Sequence, residues 1–391
     1  MKTTSRILAP FAAAGLLCAG PAALAQTQGV TKNEIVVGTI QDLSGPIAGF
    51  GKQARNGIQM RIEEINEAGG IHGRKLRLVV EDSGYDPKKG LLATQKMVQQ
   101  DKIFAMLGTI GTGVVMASLP TLMEKNVPNL FPLTAAREVY EPVHKLKFAF
   151  AAPYHEQAHS AVKFMQKERG AKKFCVIYQD DDFGLEVLRG AEAGLKEIGM
   201  SFAEKTSYKR GATDFSSQVA KMRGAGCDTV VMGTVIRETI GTIAEARKTG
   251  WSPNFIGTSA SYTELIHKLG GKAMDGFYSA YQVGVPYLDD ASKNLRDWGG
   301  KYKAKFNDDP SVFSAYGYSM VNLFAAAAEK AGPNLTVDSF IDALEKTTYS
   351  RDIFGSPEYK FSKTNHLGNS KSRIGQIQGG KWIAVTDYLD Y

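Results

Sequence analysis

The sequence predicts an α/β protein of two lobes, each a parallel sheet flanked by helices. Three observations carry this. From about residue 34, short apolar runs alternate with amphipathic stretches, the pattern of a sheet covered by helices on both faces. The rhythm breaks at Phe148-Ala149-Phe150 and then restarts. The tail departs from it, because 374–378, Gly379-Gly380 and 382–385 read as a hairpin with a two-residue turn. The length of 391 residues gives room for two or three domains. With 43% hydrophobic and 22% charged residues, the composition excludes disordered, collagen-like and all-membrane classes.

The elements follow in order. Residues 35–40 form an apolar run that reads as a buried strand. Ile58, Ile62 and Ile65 recur at helical spacing, and Gly69-Gly70 stops that helix. A strand over 76–80, a helix over 91–98, a strand over 103–107, a helix over 114–125 and a strand over 127–131 complete the first rhythm. The second begins with a helix over 158–169 and a strand over 174–178. Leu188, Ala191, Leu195 and Ile198 mark the next helix. Strands over 229–232 and 254–256 flank a helix over 238–249, and 276–281 is a further strand. Helical stretches near 291–306, 313–330 and 337–347 precede the hairpin.

The first 25 residues are predicted to be an export signal. Lys2 and Arg6 precede a short apolar run, and Ala23-Leu24-Ala25 provides the small-x-small pattern, which places cleavage before Gln26. The run is short of the roughly 20 apolar residues a membrane span needs. A lipid anchor on Cys18 is disfavoured by the bulky Leu17 before it. Cleavage lowers the net charge from +7 to +5 and leaves Cys175 and Cys227. The predicted product is a soluble exported protein, periplasmic in a bacterium. Three cysteines cannot make a disulfide framework, and Cys175 within a strand reads as core. Charge is spread without long single-sign blocks, which argues against a nucleic-acid partner.

Several motifs bear on chemistry. His155-Glu156-Gln157-Ala158-His159 matches the H-E-x-x-H zinc-peptidase pattern. Val162 and Met165 stand where the extended form needs Gly and His, and the motif sits at a helix start. Gly49-Phe50-Gly51-Lys52-Gln53-Ala54 matches a dinucleotide fingerprint but lies nine residues past its strand, so a Gly-rich approach to a helix is the better reading. Gly108-Thr109-Ile110-Gly111-Thr112-Gly113 follows the third strand and opens a helix, an arrangement that presents backbone N–H groups to an anion.

At this point the residues carry a resemblance. Ser44-Gly45-Pro46, the string from Asn66 through Gly70 to Leu76, Asp86-Pro87-Lys88 and Asp214-Phe215-Ser216 resemble the periplasmic branched-chain amino-acid binding proteins of ABC importers. The resemblance implies a type I periplasmic-binding fold: two Rossmann-like lobes joined by three crossovers. It implies lobe 1 over 30–152 and 283–355, and lobe 2 over 153–282 and 356–391, with a ligand between them. It implies no catalytic activity, no cofactor and no metal. The implied partners are a small carboxylate and an inner-membrane ABC permease, with the protein acting as a monomer.

Carried over by residue, the resemblance puts the ligand carboxylate at Thr112, with Gly111 beside it, and at Thr134 in the run Leu133-Thr134-Ala135. Phe50 packs on the ligand. The family's acidic partner for an ammonium falls on Ser259, and two pocket tyrosines fall on Phe183 and Val235. The family disulfide falls on Tyr85 and Gly111 and is absent at those positions. Tyr154 and Tyr281 are further expected walls, and Arg237 is expected to reach a carboxylate. Losing the acid at Ser259 leaves an ammonium without a partner, which is costly when buried. The expectation is therefore an aromatic or other apolar acid, as for members with stretches like 131–138 and 178–180. The alternatives are a branched-chain or other amino acid, a sensory receptor on the same fold, and, more distantly, the zinc peptidase of His155, Glu156 and His159.

Overall fold

The computed structural model describes residues 27–389. The expected signal peptide lies outside the described residues. Among the described residues, no helix is long and apolar enough to cross a membrane.

The first sheet contains β1 (Glu34–Gln41), β2 (Lys75–Asp82), β3 (Ala105–Leu107), β4 (Asn129–Leu130) and β5 (Lys147–Phe148) in the order β2-β1-β3-β4-β5, all parallel. Its connecting helices are α1 (Ala48–Glu67), α2 (Pro87–Gln99) and α3 (Thr112–Glu124). The second rhythm comprises α4 (Tyr154–Arg169), β6 (Phe174–Gln179), α5 (Asp182–Glu197), β7 (Phe202–Tyr208), α6 (Ser216–Gly224), β8 (Thr229–Gly233), α7 (Ile236–Lys248), β9 (Asn254–Gly257), α8 (Glu264–Gly270) and β10 (Tyr278–Tyr281). The chain then runs through α9 (Lys293–Phe306), α10 (Val312–Ala331) and α11 (Val337–Glu345) to β11 (Thr348–Tyr349), β12 (Tyr359–Lys360), β13 (Arg373–Gln378) and β14 (Lys381–Ala384). The second sheet has the order β14-β13-β10-β9-β8-β6-β7, and the tail hairpin pairs antiparallel to β10.

Both strand orders reverse direction once, between β1 and β3 and between β6 and β8. Open α/β sheets bind ligands beyond the strand C-termini at such switch points. The two lobes present these edges to one another.

Helix α10 is apolar on most of its surface and returns to the first lobe, where it packs along α1. The approach is close enough that a Cβ at Gly57 would sit on the Ser314 carbonyl oxygen, so this position accepts no side chain without moving a helix.

The third crossover comes later than the resemblance implies. Residues 356–368, expected with the second lobe, pack on the first. Phe361 meets Phe131 and Phe148, His366 stacks on Phe148 with ring centroids 3.9 Å apart, and Ala149 N–H donates to His366 O at 2.9 Å. The chain returns to the second sheet only at Arg373. A buried ring pair and main-chain pairing outweigh the sequence proximity of this segment to the tail hairpin.

Cys175 is core, as expected, but it is bonded to Cys227. The bridge closes 52 residues of sequence separation. Such bonds persist in oxidising compartments such as the bacterial periplasm. Replacing Cys175 by Ala and Cys227 by Ser is expected to cost about 4 kcal/mol by loop-closure entropy. A urea midpoint equal to that of the unsubstituted protein would contradict this.

Candidate functional site

The loops after β1, β2, β3, β4 and β5 with the start of α10 on one side, and the loops after β6, β8 and β9 on the other, enclose a cavity between the lobes. Its volume is about 50 Å³, too small for a peptide.

One end holds a helix start and two hydroxyls. Gly111 caps α3 with φ 95° and no side-chain hydrogen bond, so the first-turn N–H groups are unclaimed within the helix. The Thr112 and Thr134 hydroxyls meet at 2.6 Å. The two loops that carry them are zipped by main-chain bonds, with Gly111 N–H donating to Leu133 O and Leu133 N–H donating to Thr109 O. Tyr154 stands over this end, its N–H donating to Ala135 O at 2.8 Å. Burial pushes its phenol up to about 12, against hydrogen bonding from Ala135 and Thr134. Across the cleft, α7 begins at Val235, again without a side-chain cap.

The walls are apolar. Phe50 stacks on Phe313 with centroids 3.9 Å apart, and Tyr154 meets Phe183 edge-on at 5.0 Å. Tyr85 occupies the space that a side chain at position 111 would need: a Cβ there would lie 2.7 Å from its ring. Tyrosine on glycine thus stands where the resemblance puts a disulfide. Burial raises the Tyr85 phenol well above its ordinary range, and Asp181 adds to the effect. Ser259 is held from α4, where Gln157 donates to its Oγ at 3.0 Å and accepts from its N–H at 2.7 Å. Among the described residues, those lining the cavity include no Asp, Glu, Lys, Arg or His.

Ten of the expected site residues line this cavity: Phe50, Gly111, Thr112, Leu133, Thr134, Ala135, Tyr154, Phe183, Val235 and Ser259. Arg237 does not. It is exposed on the first turn of α7 while its neighbours Ile236 and Glu238 turn inward. Tyr281 does not either. It lies in β10, stacked on Tyr262 at 4.2 Å with rings 6° from parallel, inside the second lobe. Reading the sequence missed Ile47, Ile110, Phe150, Phe313 and Tyr316. Phe313 and Tyr316 come from the start of α10, far along the chain from the other walls, where their spacing looks like an ordinary core face.

The H-E-x-x-H residues do not converge. Glu156 pairs with Arg137 at 2.5 Å, His155 Nδ1 lies 2.8 Å from the same guanidinium, and His159 faces Glu197 at 2.7 Å. The would-be dinucleotide fingerprint lies inside α1 instead of forming a loop.

Two lobes with crossing connections and a ligand-sized cavity at facing switch points define a solute-binding architecture. Residues 34–381 match the family described as Periplasmic binding protein, and the chain belongs to that family, with the type I periplasmic-binding fold. It is 25% identical over 345 residues to a leucine-, isoleucine-, valine-, threonine- and alanine-binding protein of Pseudomonas aeruginosa, with 88% of each chain covered. Among solved structures it is similar to a fatty acid ABC transporter substrate-binding protein from Thermomonospora curvata, with TM-score 0.84, 21% identity, and 94% of this chain and 95% of the other covered. It is also similar to a branched chain amino acid ABC transporter from Thermus thermophilus with bound valine, with TM-score 0.81, 18% identity, and 92% and 97% covered.

Proposed function

We propose that this protein is the extracytoplasmic solute-binding component of an ABC importer and captures a small monocarboxylate with an aromatic or apolar body. The protein acts without catalysis, cofactor or metal. The observation that carries the ligand reading is the uncharged lining, with an uncapped helix start and two hydroxyls at one end. Helix starts and hydroxyls favour a carboxylate. Among the described residues, no acid lines the cavity to meet an ammonium, and an unpaired buried charge is expensive. A fatty-acid-named neighbour of this fold supports the idea that the architecture accommodates acids without an amino group.

In this mechanism the open protein takes up the acid at Thr112, Thr134 and the start of α3, with Phe50, Tyr154 and Phe183 on its body. Closure brings Val235 and Ser259 against the same ligand. The closed form is favoured because only there does the ligand contact both lobes. The closed complex is what the permease engages.

A second reading is favoured by the named relatives: a branched-chain amino acid, its ammonium held by carbonyls and hydroxyls. A thermal-shift panel separates the two. A ligand at 100 times its dissociation constant stabilises by about 2.7 kcal/mol. Benzoate and phenylpropanoate types are expected to raise the melting temperature. A shift with leucine, isoleucine or valine alone would favour the second reading.

A further inference from the structure

Beside the cavity, an arginine joins the lobes. Arg210 follows β7, the edge strand of the second sheet, and Tyr85 follows β2, the edge strand of the first. Arg210 Nη1–H donates to the Tyr85 carbonyl oxygen at 2.8 Å, and its guanidinium carbon lies 4.5 Å from the Tyr85 ring centroid. Its Nη2 pairs with Asp181 Oδ2 at 2.6 Å. Asp181 is itself fixed as the cap of α5, accepting from Phe183 and Gly184 N–H groups, and Gln179 Nε2 donates to it at 2.6 Å. Gln179 also reaches the Tyr85 hydroxyl at 3.3 Å. Tyr85 has φ 62°, a left-handed backbone that a residue with a Cβ keeps only where its surroundings hold it. Its ring lines the cavity.

We propose that Arg210 is a positioning residue that clamps Tyr85 of the first lobe to Asp181 of the second, holding the lobes closed and the cavity wall in place. The planar fork is what allows this. One guanidinium reaches a carboxylate and a carbonyl in its plane while its face covers a ring, which a lysine ammonium cannot reproduce. A missing side chain at Gly113 leaves room for it, since a Cβ there would lie 3.1 Å from Nη2. The contacts exist only between closed lobes, so they act on the rate at which the lobes part, and through it on ligand escape.

The proposal rests on the cavity being the ligand site, but its test does not need the ligand. Cysteines placed at the exposed Lys88 and Lys209, which flank the contact, report closure when trapped by a short bifunctional thiol reagent in the ligand-free protein. Even a rarely populated closed form is captured this way. Arg210→Ala is expected to slow trapping several-fold, with Arg210→Lys slowed to an intermediate rate. For the best binder in the thermal-shift panel, Arg210→Ala is expected to raise the dissociation rate and leave association unchanged. Trapping at the unsubstituted rate in both variants would overturn the clamp. If no panel member binds, the ligand reading falls while the trapping result still decides the role of Arg210.

Discussion

With Ser259 replaced by glutamate, the proposed preference for acids lacking an amino group is expected to give way to a preference for α-amino acids. Ser259 lines the cavity from the second lobe and is anchored by Gln157. A carboxylate at 259 enters an otherwise uncharged lining. It supplies the charge-assisted partner that an ammonium lacks, an interaction of about 1.5–3 kcal/mol. The same charge repels an acid that carries no ammonium, and like charges brought together at an interface cost several kcal/mol. The two effects act in opposite directions on the two ligand classes, so the ratio of affinities for leucine and benzoate should change by about 100-fold or more. Calorimetric titration of both ligands into both proteins measures this ratio. An unchanged ratio would mean that position 259 does not face the ligand.

The second large effect is a pH dependence of stability centred on Glu264. This residue opens α8 in the second lobe and is 1% exposed. The Gln53 amide reaches it from α1 of the first lobe. Burial pushes its carboxyl up to about 7, opposed by its own backbone N–H, Lys268, Thr263 and Gln53. The folded state therefore binds this proton more tightly than the unfolded chain. The resulting stability is fully present below the ordinary carboxylate range and is lost as pH rises to about 7, for a total of about 3 kcal/mol. Glu264→Gln keeps the shape and hydrogen bonding of the neutral acid. It should remove that slope and be the more stable protein at pH 8. His267 on the same helix acts oppositely. Burial lowers it to about 4, so its contribution is present above the ordinary histidine range and is lost as pH falls. The difference between the two proteins across pH 5 to 8 isolates the Glu264 share. Parallel curves would contradict it.

Much of the fold was legible because burial on both faces leaves near-continuous apolar strands. Residues 35–40, 174–178 and 229–232 announce β1, β6 and β8 for that reason. Strand β7 was not legible. It is the edge of its sheet, with alternating exposure and Glu204, Lys205 and Ser207 in its run. Helices α6 and α8 are short and lack a clear apolar stripe. The helix start at Thr112 was visible in its glycine pattern, since a loop that turns left-handed at Gly111 and opens a helix needs it. The walls supplied by Tyr85, Phe313 and Tyr316 were not, because nothing local marks which aromatic side chains meet across 200 residues of chain. Arg237 illustrates the converse: its type suits a carboxylate, but one step of helical rotation turns it to solvent.

The proposed ligand is a carboxylate without an amino group, because the cavity lining has hydroxyls but no acid to pair with an ammonium. Matched pairs test this, because each pair differs only in the amino group: phenylalanine against 3-phenylpropanoate, and leucine against 4-methylpentanoate, titrated calorimetrically into the same protein after unfolding and refolding to strip any co-purified molecule. The deaminated member of each pair is expected to bind, and its amino-acid counterpart to bind far more weakly or not at all. Tighter binding of leucine and phenylalanine than of their deaminated partners would contradict it.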